Sequence, residues 1–219
     1  INVKLKTGKE TEINAPGPQI TDEQFETLLT QIKKTTKEDT VIVAGSIPKS
    51  VPNDAYEQIA QITNATGAKL VVDAEKDLVE SVLGYHPLFI KPNKDELEVM
   101  FNTTIETDQD VIKYATEILT RGAQSVVISL GGEGAVYVDA QQSFKAIVPN
   151  GHVVNTVGSG DSTVAGMVAG LEAGLPIKEA FKQAVSAGTA TAFNEDLATA
   201  TAIEDIKKQV VITTLGGSE

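Results

Sequence analysis

Val41-Ile42-Val43-Ala44-Gly45-Ser46-Ile47-Pro48 is an apolar quartet that stops abruptly in a turn, and its form returns along the chain. A run that short and that apolar suits a strand covered on both faces, and Gly, Ser and Pro then end the ladder. Leu70-Val71-Val72-Asp73, Leu88-Phe89-Ile90 and Ser125-Val126-Val127-Ile128-Ser129 repeat the pattern. Between the strands, apolar residues recur with helical spacing. Thr21 opens a helix in which Gln24 completes a capping box and Phe25, Leu28, Leu29 and Ile32 share a face. A second helix runs from about Asn53 and stops at Gly67, a C-cap, and a short one ends at Gly84. Short apolar strands alternating with amphipathic helices predict an α/β fold, a mostly parallel sheet with helices on both faces.

The rest of the chain keeps this rhythm. Residues 93–101 and 108–121 read as helices, the second closed by Gly122. Ala135–Val138 and Phe144–Val148 read as a hairpin that adds an antiparallel edge, followed by helices near 161–173, 177–193 and 199–210. Residues 1–13 alternate around Lys6-Thr7-Gly8-Lys9 as a separate β-hairpin, cut off by Asn14-Ala15-Pro16-Gly17-Pro18. The division is therefore 1–13, a partial lid hairpin, and 14–219, the α/β body.

Composition narrows the chemistry. The 219 residues carry 18 Lys and Arg against 30 Asp and Glu, a net charge of −12, with no Cys and two His. Disulfides, thiolate metal sites and a Cys nucleophile are excluded. So is a multi-histidine metal cage. So acidic a surface disfavours nucleic acid and anionic membranes as partners, and no apolar stretch is long enough to span a bilayer.

The richest segment is Asn155-Thr156-Val157-Gly158-Ser159-Gly160-Asp161, which leads into Ser162–Gly170. Glycines that stop where a helix begins converge backbone N–H groups on one point, a place for a phosphate or a developing negative charge. Asp161 at the helix start is placed to accept a proton. An ordinary Gly-rich loop with an Asp cap reads the same way. Ser129-Leu130-Gly131-Gly132-Glu133-Gly134 follows a buried strand and lets backbone approach a nucleotide, or is a plain strand-to-strand turn. In Lys91-Pro92-Asn93-Lys94-Asp95-Glu96, Asn93 and Glu96 share a helical face. An amide oxygen and a carboxylate suit Mg²⁺, yet the same pair also makes a good helix cap. Lys91 is a phosphate partner or a surface lysine. Ser46 ends its strand near a substrate hydroxyl or phosphate, or lies in a simple turn. Asp73, His86 and His152 read as structural or surface residues.

Together these segments resemble the ribokinase-like carbohydrate kinases of the PfkB group. Asn155–Ala169 is similar to that family's C-terminal signature, with Gly158-Ser159-Gly160-Asp161 in place of its G-A-G-D core. Asn93-x-x-Glu96 resembles its N-x-x-E element, Ser129–Gly134 its nucleotide loop, Ala44–Pro48 its G-S-x-P strand end, and Ala184–Phe193 its helix beside the adenine pocket. The resemblance implies a ribokinase-like three-layer α/β/α sandwich with the remnant of a small β-lid. It also implies a cytoplasmic kinase using Mg²⁺ and ATP, with a sugar phosphate as partner and a homodimer through the lid. Asp161 would be the general base and substrate-binding group, and the amides of Gly158, Ser159, Gly160 and Asp161 the anion hole. Lys91, Ser129–Gly134 and Gly160 would bind nucleotide, Ser46 substrate, and Asn93 and Glu96 the metal. Ile1–Lys4, Ala15–Pro18 and Lys91–Leu97 are most similar to the branch that converts fructose 1-phosphate to fructose 1,6-bisphosphate. Tagatose 6-phosphate is the runner-up substrate, and a non-catalytic ATP-binding module is the rival from another class. The family's N-terminal sugar motif has no counterpart here, so a chain that lacks its first part is expected.

Overall fold

A computed structural model describes residues 2–4, 10–12 and 17–217. At the N-terminus, β1 (Asn2–Lys4) pairs antiparallel with β2 (Glu10–Glu12) as a sheet of their own, with Val3 opposite Thr11. The expected hairpin is there in its strands, while its turn at 6–9 lies outside the described residues.

The body is built on a seven-stranded sheet in sequence order. β3 (Thr40–Ala44), β4 (Lys69–Asp73), β5 (Phe89–Ile90) and β6 (Ser125–Ser129) run parallel. β7 (Ala135–Asp139), β8 (Gln142–Ile147) and β9 (Val211–Gly217) follow antiparallel, each to its neighbour. β9 corrects the sequence reading. The hairpin β7–β8 is not the edge, because the segment after the last helix returns as one more strand. Its Val211-Ile212-Thr213-Thr214 run is β-branched and fits a pleated surface.

Side-chain alternation divides the sheet into two cores. Leu70, Val72, Val126, Ile128, Val136 and Val138 face one way. There they meet α2 (Ala55–Thr66), α3 (Lys76–Val82), α4 (Lys94–Phe101) and α5 (Asp108–Thr120). Val71, Phe89, Val127, Tyr137 and Phe144 face the other, against α6 (Ser159–Glu172) and α7 (Ile177–Ala192). Each such side chain, removed from water, contributes about 1.5–3 kcal/mol before the entropy of ordering it. α1 (Asp22–Ile32) packs Phe25, Leu29 and Ile32 on α2, and α8 (Ala200–Lys207) lies along α7. Gly166 and Gly170 let α6 lie directly against Ala184 and Ala180 of α7. This is the three-layer arrangement expected, and it puts the ends of β3–β6 and the start of α6 at one edge.

Candidate active site

Parallel strands present their carboxyl ends together, which is where an α/β sheet binds ligands. β4 ends in Asp73 and β5 leads directly into Lys91. Lys91 is buried, and its Nζ lies 3.2 Å from Asp73 Oδ1. Gly160 in the first turn of α6 rests on this pair: a Cβ there would stand 3.4 Å from Lys91 Nζ and 3.8 Å from Asp73 Oδ2. Burial raises the Asp73 carboxyl above its usual range, Lys91 pulls it back down, and the charge of Asp161 raises it further. From the sequence alone Asp73 reads as a structural or surface residue; the structure sets it beside Lys91.

α6 begins at Ser159, two residues earlier than expected, because Gly158 turns the chain with φ of 78°. Asp161 therefore sits in the first turn, exposed, and no side chain caps the helix. The amides are not equivalent. Ser159 N–H donates to Thr156 O at 3.1 Å and its hydroxyl to Gly188 O at 2.8 Å, so Ser159 anchors α6 to α7. The amides of Gly160 and Asp161 take no acceptor among the described residues. Such open N–H groups at a helix start attract an anion.

Behind this nest lies a cavity of about 280 Å³. Ser129, Gly131, Gly132 and Gly134 form one wall, Val185, Gly188, Thr189, Ala192 and Phe193 of the α7 end another, and Val148, Pro149, Asn150, Gly151, Val153 and Thr156 the rim. Gly134 has φ of 92° and faces the Ala146 carbonyl so closely that no side chain fits. The cavity lining contains no charged side chain. Leu130 and Glu133 belong to the same turn, Leu130 N–H donating to Gly134 O at 2.8 Å.

Asn93 and Glu96 make a reciprocal cap of α4. Glu96 N–H donates to Asn93 Oδ1 at 2.8 Å, and Asn93 N–H donates to Glu96 Oε2 at 2.7 Å. No group of three or more His, Cys, Asp or Glu poised for a metal occurs among the described residues. Ser46 is exposed beyond β3, in a loop tied down where Gly45 N–H donates to Asp73 O at 3.0 Å and Tyr56 Oη to Gly45 O at 2.7 Å. Burial, then Asp73, push the Tyr56 phenol up to about 12, so it remains a donor. His86 instead holds the far end of the sheet, its Nδ1 3.0 Å from Gly122 O.

The sequence matches the pfkB family carbohydrate kinases over residues 1–205. The chain belongs to that family. A 1-phosphofructokinase of Bacillus subtilis is 41% identical over 215 residues, 98% of this chain and 71% of the relative. A tagatose-6-phosphate kinase of Staphylococcus epidermidis is 34% identical over 195 residues, 87% of this chain and 63% of the relative. A Staphylococcus aureus crystal structure, provisionally described as a phosphofructokinase, superposes with a TM-score of 0.90 at 71% identity, covering 99% of this chain and 71% of that one. For a PfkB kinase, the four segments quoted from the sequence thus lie along one edge. No helix among the described residues is long and apolar enough to cross a membrane.

Proposed function

We propose that the chain transfers the γ-phosphoryl group of ATP to the 6-hydroxyl of fructose 1-phosphate, giving fructose 1,6-bisphosphate and ADP. The observation that carries this is the start of α6, where Asp161, two open amides and the buried Lys91 converge beside an uncharged cavity. The base and ribose fit the cavity, and its uncharged lining leaves phosphate recognition to the glycine turn, the nest and Lys91. Asp161 takes the proton of the attacking hydroxyl. Oxygen then attacks the γ-phosphorus in line, while the Gly160 and Asp161 amides and Lys91 stabilise charge on the transferring oxygens. Ser46 lines the sugar side. The separate β1–β2 sheet is the beginning of a cover that excludes water, and the edge through which a second copy would pair.

Mg²⁺ would neutralise phosphate charge in such a site. The donors fit a weak hold: Asn93 Oδ1 and Glu96 Oε2 are used in the α4 cap, while Glu96 Oε1 has no protein partner among the described residues. Mg²⁺ commonly keeps several waters and takes few protein ligands.

Fructose 1-phosphate is preferred because the relative at 41% identity is a 1-phosphofructokinase, against 34% for the tagatose-6-phosphate kinase. ADP release by the full-length protein with ATP, Mg²⁺ and each of fructose 1-phosphate, tagatose 6-phosphate and fructose 6-phosphate tests the reading. Marked preference for the first supports it, and preference for the second transfers the assignment. ATP binding without turnover of any of them leaves a nucleotide-binding module.

A further inference from the structure

Asp73 and Lys91 leave adjacent parallel strands on the same side of the sheet. Val71 and Phe89, opposite each other in register, both pack into the α6–α7 core. The two-residue period carries Asp73 and Lys91 to that face at the carboxyl edge. Their side chains are 16% and 8% exposed. A buried ammonium is costly unless it is paired. Lys91 carries three N–H donors, and Asp73 is its single charged partner among the described residues, which leaves two donors for a ligand. Gly160 roofs the pair closely enough that a methyl group there would touch Nζ.

We propose that Asp73 is a positioning residue, which holds the Lys91 ammonium under the start of α6 so that it meets the phosphoryl group in transfer, without itself touching nucleotide or sugar. The inference rests on the kinase reading above. A lysine side chain has four rotatable bonds, and fixing its ammonium in the folded state removes that cost from the reacting complex. The negative charge of Asp73 gives no help to a bound anion in the ground state. Its loss therefore lowers kcat and leaves the KM for ATP unchanged or lower.

A double-mutant cycle in the full-length protein, scored per folded molecule, tests this. Asp73→Asn, nearly isosteric, is expected to lower kcat by about tenfold or more, and Asp73→Glu to restore part of the loss. In a Lys91→Met background the same Asp73→Asn change is expected to alter kcat less than about twofold, since its route has been removed. Equal losses in both backgrounds would overturn the proposal, because Asp73 would then act directly, for instance on a phosphate-bound cation. An unchanged kcat in Asp73→Asn would overturn it too. Should Asp73→Asn fail to fold, Asp73→Glu carries the cycle: a kcat loss that vanishes in Lys91→Met supports the proposal, and a loss that persists overturns it. An unsubstituted protein that turns over no sugar phosphate defeats the kinase reading first, and that arm contains no variant.

Discussion

α4 and α6 both start at the carboxyl edge of the sheet, and they treat their first turns in opposite ways. α4 is closed: Asn93 and Glu96 exchange hydrogen bonds with each other's backbone, so the helix start consumes its own polar groups. α6 is open. A glycine with left-handed backbone stands at its cap position, no side chain caps the helix, and the amides of Gly160 and Asp161 take no acceptor among the described residues. The first arrangement contributes about 1 kcal/mol of stability. The second forgoes that and keeps donors for an anion. Helix starts with similar sequence promise can therefore differ in function, according to whether their partners are already committed.

The contrast breaks most sharply at Asp161. Asp161→Asn in the full-length protein should lower kcat by about 10²–10⁴-fold while ATP still binds, as steady-state kinetics and calorimetry would show. Turnover at the parent rate would remove the general base from the open helix. Next comes Gly158→Ala, which forces a Cβ into left-handed backbone beside Leu197. It should cost about 1–2 kcal/mol in denaturant unfolding and weaken ATP binding as the nest distorts. Asn93→Ala should cost about 1 kcal/mol by the same unfolding measurement. Glu96→Gln sharpens the comparison further, because glutamine preserves the cap. Stability within about 0.5 kcal/mol of the parent is expected, and a steep loss of Mg²⁺-dependent turnover would show that the closed helix also serves a metal.

The smallest effect concerns another closed start, at α5. The Thr107 hydroxyl first, then the Thr107 and Glu106 amides, hold Asp110 below the usual carboxylate range. A depressed folded-state value means that the stabilisation is present above the unfolded value and is lost as pH falls through the folded one. Thr107→Ala should therefore flatten the acid limb of a stability–pH profile. An unchanged limb would show that the cap carries none of it.

Much of the fold was legible in the sequence. The apolar quartets, the Thr21–Gln24 cap and the Gly67 stop all stand where periodicity and capping chemistry put them. β9 escaped because a short β-branched run after a helical stretch offers no turn signal. The start of α6 was set two residues late because capping rules favour a polar cap, and here glycine takes that place. Asp73 was missed for a different reason. One carboxylate at a strand end reads as a turn residue until its strand is laid beside the next, and only then do Val71–Asp73 and Phe89–Lys91 fall on one face. At Asn93 and Glu96 the spacing fits both a cap and a metal pair, and the hydrogen bonds show that the cap is made.

The most direct test of the open and closed helices is amide-resolved NMR of the full-length protein during titration with a nonhydrolysable ATP analogue and fructose 1-phosphate, without divalent metal. The Gly160 and Asp161 amide resonances should shift strongly as the site fills, and those of Lys94–Glu96 little. Shifts concentrated at Lys94–Glu96, with Gly160 and Asp161 unmoved, would contradict an anion site at the start of α6.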